Sequence, residues 1–93
     1  MNNSFWVYIL ENERDKQWTI LTTRCIERVA EQINNSDDDS NSKRLIYYRE
    51  FDEMILALGH KLYLSFLDRK SIEYLIRKEN PNLKKFLSPK NKQ

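Results

Sequence analysis

The sequence predicts an α+β domain whose elements follow the order β-β-α-β-α-α. Two runs of strand-forming residues, separated by a short polar segment, open the chain over residues 5–23. The spacing of the apolar residues then changes to three and four, which indicates an amphipathic helix. A third strand-forming run over residues 44–51 precedes two further helical patterns. These observations together favour one small domain that contains both a sheet and helices.

The first two strands are predicted to form a hairpin. Residues 5–10 and 17–23 are both rich in aromatic and β-branched residues, which favour strands. The segment 11–16 between them is polar and fits a turn, although it contains no glycine. The chain is therefore expected to fold back on itself before the first helix begins.

The first helix is predicted from residue 24, with Thr23 as its N-cap. Its apolar residues recur at helical spacing and are Ile26, Val29, Ala30 and Ile33. Residues 34–42 are polar and include three consecutive aspartates. An EF-hand loop requires ligands at alternate positions, a central glycine and a closing glutamate, all missing here, so a solvated loop is predicted.

The third strand, 44–51, is followed by a long helix that Asp52 is predicted to cap and that runs to about Leu67. Its apolar residues are expected to face a core, and they are Ile55, Leu56, Leu58, Leu62, Phe66 and Leu67. Gly59 interrupts this helix at modest cost. Asp68 is predicted to cap a third helix that ends before Pro81, and its apolar residues are Ile72, Leu75 and Ile76.

The composition fits a single domain over residues 1–86 with a basic C-terminal tail over residues 87–93. No apolar run approaches the length of a membrane span, and the first residues lack the pattern of a signal peptide. The single cysteine, Cys25, has no partner for an internal disulfide. A cytoplasmic location without a membrane is therefore expected.

Charge is distributed unevenly along the chain. Residues 1–42 carry four Lys and Arg against eight Asp and Glu, whereas residues 43–93 carry twelve against six. The positive excess in the second part permits a basic face that binds nucleic acid. A glycine-rich phosphate loop is excluded by the single glycine. Zinc requires more thiols and imidazoles than Cys25 and His60 supply, and the same two residues are a weak pair for nucleophilic catalysis.

Six short motifs match one known pattern in order and spacing. They are 7–10 (VYIL), 18–23 (WTILTT), 26–28 (IER), 45–51 (LIYYREF), Ala57 and 80–81 (NP). This arrangement, from about residue 5 to residue 86, resembles the GIY-YIG nuclease superfamily, in particular its small single-domain bacterial members. The resemblance implies a three-stranded antiparallel sheet flanked by helices, and metal-dependent cleavage of a DNA phosphodiester.

The resemblance implies an active site that this chain retains only in part. Tyr8 matches the tyrosine that lies near the attacking water, and Arg28 matches the arginine of the first helix. Trp18 replaces the second tyrosine, Ile20 replaces a glycine, and Gln32 stands where many members have histidine. The metal-binding glutamate falls at Lys61, which offers no acceptor oxygen and repels a cation. No metal or other cofactor is therefore expected, and Mg²⁺ is implied only if Glu50 or Glu53 restores a ligand.

The sequence thus predicts a GIY-YIG-like domain with a degenerate active site that acts by binding. Nucleic acid is the first partner considered, through the remnant cleft and nearby cations. The candidate residues are Tyr8, Arg24, Arg28, Lys43, Arg44 and Lys61. Tyr47 or Tyr48 is a candidate for stacking on a base, although only one of the two can point outward. The alternatives are a protein-interaction or inhibitor module of a regulatory or mobile-element protein, and a divergent metal-dependent DNA endonuclease.

Overall fold

The structure, a computed structural model, describes residues 4–34 and 42–79. It confirms the α+β class and the predicted order of elements. The elements are β1 (Phe5–Asn12), β2 (Trp18–Thr23), α1 (Ile26–Asn34), β3 (Lys43–Phe51), α2 (Met54–Phe66) and α3 (Arg69–Glu79). The predicted loop residues 35–41, the Asn-Pro pair at 80–81 and the predicted tail 87–93 lie outside the described residues.

The three strands form one antiparallel sheet in the order β2-β1-β3. In the centre of the sheet, Tyr8 lies opposite Leu21 on one side and Tyr48 on the other. The register between β1 and β3 shifts after Ile9, so Ile46 is an extra residue in the third strand. Because side chains alternate along each strand, this register decides which face of the sheet every residue joins.

The connection between β1 and β2 turns tightly without glycine. Lys16 takes a positive φ of 62°, a left-handed conformation that costs a non-glycine residue roughly 1–2 kcal/mol. Its N–H donates to the carbonyl of Asn12 at 2.7 Å, and the Asn12 side chain accepts from the N–H of Arg14 at 2.9 Å. These hydrogen bonds close the turn that the polar composition predicted.

Helices cover both faces of the sheet. On one face, α1 contributes Ile26 to a cluster with Tyr8 and Leu45. On the other face, α2 and α3 pack against a larger cluster, whose buried members are Val7, Ile9, Ile46, Tyr47, Ala57, Leu64 and Ile72. The sheet therefore separates α1 from α2 and α3. Side chains on α1 and side chains on α2 or α3 lie on opposite faces of it.

Two of the three predicted helix caps are wrong. α1 begins at Ile26, and the Thr23 side chain accepts from the N–H of Cys25 just before the helix begins. α2 begins at Met54 with Glu53 at the N-cap, one residue after the predicted cap Asp52. The third cap is confirmed, because the Asp68 carboxylate accepts from the N–H of Ser71 at 2.9 Å.

The apolar residues of α2 do not face the core as predicted. Ala57 and Leu64 are its buried residues, and Leu67, just after the helix, is partly buried. The side chains expected in the core are instead exposed, and they are Ile55, Leu56, Leu58, Leu62 and Phe66. Because α2 is apolar on nearly all sides, its sequence pattern does not indicate which side packs against the sheet.

Candidate functional site

The structure does not bring the four GIY-YIG-like positions together. Tyr8 belongs to the cluster that packs against α1, and Arg28 is exposed on α1. Trp18 packs with the cluster under α2 and α3, and Lys61 lies on α2. The strand register explains the separation: Tyr8 pairs with Leu21, three residues from Trp18, so the two rings lie on opposite faces. These four residues therefore do not share one face of the sheet.

The indole of Trp18 is engaged in a polar cluster at one end of the sheet. Its Nε1–H donates to Glu11 Oε2 at 3.2 Å, and the guanidinium of Arg69 lies 3.8 Å from its ring centroid. Glu11, which is buried, also pairs with Arg44 at 2.6 Å and with Arg69 at 3.5 Å. These contacts join β1, β2, β3 and α3, so Trp18 here has a structural role.

The predicted nucleic-acid contacts are scattered. Arg24 lies at the end of β2, where its guanidinium is 5.0 Å from the Phe5 ring centroid. Lys43 and Arg44 lie at the opposite end of the sheet, beside the last residues of β1. The eight residues of β1 separate these ends, a distance of roughly 24 Å for an extended strand. Arg44 is in addition paired with Glu11.

Of the two candidate tyrosines, neither projects free into solvent. Tyr47 is buried under α2 and α3, as alternation along the strand requires. Tyr48 lies on the other face, half-buried, with its ring centroid 5.9 Å from that of Trp6. Glu50 accepts from the hydroxyl of Ser4, and Glu53 occupies the N-cap position of α2 without a capping hydrogen bond from its side chain. Within residues 4–34 and 42–79, no three His, Cys, Asp or Glu side chains cluster as a metal site would require.

A hydrogen-bonded network that the sequence did not reveal connects β3, α2 and α3. Burial raises the pKa of Tyr47 and the contact with Glu79 raises it further, so the phenol remains protonated. It donates to Glu79 Oε1 at 2.7 Å and accepts from His60 Nε2 at 2.9 Å. Arg49 pairs with Glu79 at 3.6 Å, and the His60 ring lies against Phe51. No pattern of spacing predicts this network, since its members come from three separate elements.

This network predicts a loss of stability below neutral pH. Burial lowers the pKa of His60 and the charge of Arg49 lowers it further, whereas Glu79 opposes both. Because the folded chain binds this proton less readily than the unfolded chain, the free energy of unfolding falls as pH drops below the ordinary value of 6.5. Denaturant titrations at about pH 7.5 and about pH 5.5 should show this fall in the wild type.

His60→Gln provides the control, because glutamine keeps an N–H donor for Tyr47 but does not titrate. His60 is the only histidine in the chain, so the variant should lose less stability between the two pH values. An equal loss in both proteins would assign the pH dependence to other groups.

Seven of the eight large hydrophobic residues that are exposed in the part of the chain that the structure describes belong to α2. Four side chains follow one another along it at helical spacing, with Gly59 between them, and they are Ile55, Leu58, Leu62 and Phe66. They are 48–79% exposed, with Phe66 the most exposed. We call this set the outward face of α2. The sequence pattern predicted that these residues face the core. It did not indicate that Ala57 and Leu64 form a second side of α2 that can be buried instead.

The surroundings of this face are also apolar. Met54, Leu56 and Tyr63 flank it and are about half exposed. Lys61 is the only charged residue in α2, and it lies partly buried to one side. A groove of about 420 Å³ lies between the end of α2 and α3, and it is lined by Tyr63, Leu67, Tyr74 and Leu75 together with the polar residues Lys70 and Ser71. Exposed apolar surface of this continuity marks interaction sites in soluble domains.

Comparisons with known proteins identify no relative of this chain. No family model, no curated protein and no solved structure matches the chain. None of the helices in the described ranges is long and apolar enough to cross a membrane. The resemblance to the GIY-YIG superfamily therefore stays a prediction from the motifs, and the geometry of α2 is the strongest indication of function.

Proposed function

We propose that this domain acts by binding another protein through the outward face of α2. The observation that carries the proposal is a helix covered by the sheet on one side and exposing Ile55, Leu58, Leu62 and Phe66 on the other. A helix that is apolar all round is stable in water when both sides are covered. The sheet covers one side of α2, and a partner is needed for the other.

Binding without catalysis fits the residues at the GIY-YIG-like positions. Trp18 is held by Glu11 and Arg69, so its indole is not available to a substrate. Lys61 stands where the resemblance places the metal-binding glutamate, and an ammonium group cannot coordinate magnesium. Tyr8 packs in the cluster beneath α1, on the face away from Lys61. These placements support a scaffold that is used for recognition.

Three arginines are engaged in ion pairs, whereas the candidate contacts Arg24 and Arg28 form no ion pair with another described residue. Arg44 and Arg69 pair with Glu11, and Arg49 pairs with Glu79. Guanidinium groups engaged in this way are less available to phosphates, which supply most of the affinity for nucleic acid. The outward face of α2 carries no charged side chain, so it supplies none of the phosphate contacts on which nucleic-acid binding depends. We therefore expect a protein partner, and a crosslink to nucleic acid would contradict this expectation.

A photoreactive phenylalanine analogue at position 66 tests the proposal in the cells that produce the protein. We expect a covalent product with a protein, because Phe66 is the most exposed residue of the face. Leu62→Glu should abolish the product, since a carboxylate in an apolar contact weakens binding by about thirtyfold or more.

The same analogue at position 32 is the matched control, because Gln32 is exposed on α1, across the sheet from α2. A product with nucleic acid, or equal products from positions 66 and 32, would contradict a protein-binding role for α2.

A further inference from the structure

Gly59 lies in the middle of the outward face of α2. No contact within the chain requires a glycine at this position. A Cβ built at this position would have no atom within 4 Å, and its backbone is ordinary helix without a positive φ. Glycine weakens a helix interior relative to alanine, and a close contact with a second helix is one physical reason for it. Two helices cross at 8–10 Å depending on the side chains at the contact, and a residue without a side chain permits the closest approach.

We propose that a second copy of this chain covers α2, with the two α2 helices packed antiparallel about a two-fold axis. This inference rests on the proposed function and names its partner. The outward face is self-complementary: an axis near the centre of the helix sets Ile55 of one copy against Phe66 of the other, and Leu58 against Leu62. Gly59 then lies at the crossing point, where the backbones come closest.

The charges at the two ends of α2 support the antiparallel arrangement. Asp52 and Glu53 are exposed before the helix, and Lys70 is exposed just after it. None of these three side chains forms an ion pair with another residue in the described ranges. The Asp68 carboxylate caps α3 at the same end as Lys70, and Asp68, Arg69 and Lys70 together carry one net positive charge. Antiparallel packing sets the acidic end of one copy near Lys70 of the other, and parallel packing would set the acidic ends together.

The exposed area also fits a dimer. Seven large apolar side chains of α2 are about half or more exposed, and they are Met54, Ile55, Leu56, Leu58, Leu62, Tyr63 and Phe66. Side chains of this number and exposure provide an area of the order of the 800 Å² per partner in a standard interface. Surface of such apolar composition is typical of homodimers, whose interfaces resemble a divided core.

Sedimentation equilibrium of the purified full chain across a wide range of concentration tests the proposal. We expect the wild type to associate to a mass of two chains. Ile55→Lys and Phe66→Glu should each weaken this association by about thirtyfold or more. Both positions are exposed, so circular dichroism should show both variants folded. Gln32→Glu, on the other side of the sheet, should remain dimeric. A wild type that stays monomeric at every concentration would overturn the proposal.

Mixing the two charged variants tests the antiparallel pairing itself. A dimer of one Ile55→Lys chain and one Phe66→Glu chain contains one native pair of Ile55 with Phe66 and one pair of opposite charges. We therefore expect the mixture to dimerise more tightly than either variant alone. No recovery on mixing would overturn the antiparallel two-fold, as would a Phe66→Glu variant that still dimerises like the wild type.

Different results would refute the dimer and the protein-binding role of α2. A monomeric wild type that still crosslinks a different protein from position 66 would refute self-association and leave protein binding by α2 in place. A monomeric wild type without any protein crosslink would refute both.

Discussion

Leu64→Ala is expected to lower the free energy of unfolding by about 3 kcal/mol. Leu64 is fully buried and is one of the residues that connect α2 to the sheet cluster. The substitution removes three buried carbon atoms and leaves a cavity between α2 and the sheet, which a rigid sheet fills only in part. In a domain of this size that loss is a large part of the total stability. Urea denaturation followed by tryptophan fluorescence measures it, with Trp18 packed against the same cluster.

Leu62→Ala is the matched control, because it makes the same chemical change two residues earlier in the same helix. Leu62 is 58% exposed, so the folding of a single chain should change by less than about 0.5 kcal/mol. Any effect of Leu62→Ala should depend on protein concentration, since it acts through the dimer, whereas that of Leu64→Ala should persist at low concentration. Equal, concentration-independent losses would mean that α2 packs with a different side toward the sheet.

The strands and two of the helices follow directly from the sequence. Runs of aromatic and β-branched residues predict β1, β2 and β3 to within two residues at each end. In α1 the apolar residues occupy one side only, and Ile26 and Ala30 are buried as that spacing predicts. In α3 the same reasoning places Ile72 correctly. α1 and α3 each have a single apolar side, so in these two helices the local pattern specifies which side is buried.

The orientation of α2 did not follow from its sequence for a physical reason. Its thirteen residues include one charge and one glycine, so rotating the helix about its axis exposes a similar apolar surface each time. The choice of Ala57 and Leu64 as the buried side depends on the shape of the sheet beneath it, which is a tertiary property. A helix with two apolar sides indicates an interaction site, because one side can pack against the sheet and the other against a partner.

Whether the candidate site residues lie on the same face of the sheet depends on the strand register, which could not be read from the sequence. Tyr8 and Trp18 are both aromatic residues on neighbouring strands, and the sequence does not state whether an odd or an even number of residues separates them across the hairpin. The pairing of Glu11 with Trp18 fixes that count and sends the two rings to opposite faces. Glu11 was predicted only as part of a polar turn, although it is the buried acceptor for Trp18 and two arginines.

Glu11→Gln is expected to lower the free energy of unfolding at neutral pH by about 2 kcal/mol, the amount typical of hydrogen bonds to a charged group. Glu11 is 6% exposed and is held by Arg44, Arg69 and the indole of Trp18. Glutamine keeps the shape and accepts one hydrogen bond but loses the negative charge. Both arginines are about half exposed, so water solvates them when the charge is lost, and the effect stays below that of a fully buried ion pair.

The difference between Glu11→Gln and the wild type should shrink in acid. Burial raises the pKa of Glu11, but hydrogen bonds from Trp18 and Arg44 and the charges of Arg44 and Lys16 outweigh it, so the pKa lies below its ordinary value of 4.5. The folded chain thus binds this proton less readily than the unfolded chain. The stabilisation is complete above the ordinary pKa and is lost as pH falls through the folded-state pKa. Denaturant titrations from neutral to acidic pH measure both slopes.

Glu73→Gln makes the same chemical change at a carboxylate that is 46% exposed and lies 4.0 Å from Arg69. Its effect at neutral pH should stay below about 0.5 kcal/mol, because water screens an exposed pair within one helix. The contrast isolates burial, since Arg69 is a partner of both carboxylates. If Glu11→Gln and Glu73→Gln changed stability equally, the cluster around Trp18 would contribute no more than a surface ion pair. In that case the contacts of Trp18 with Glu11 and Arg69 would not be a source of stability.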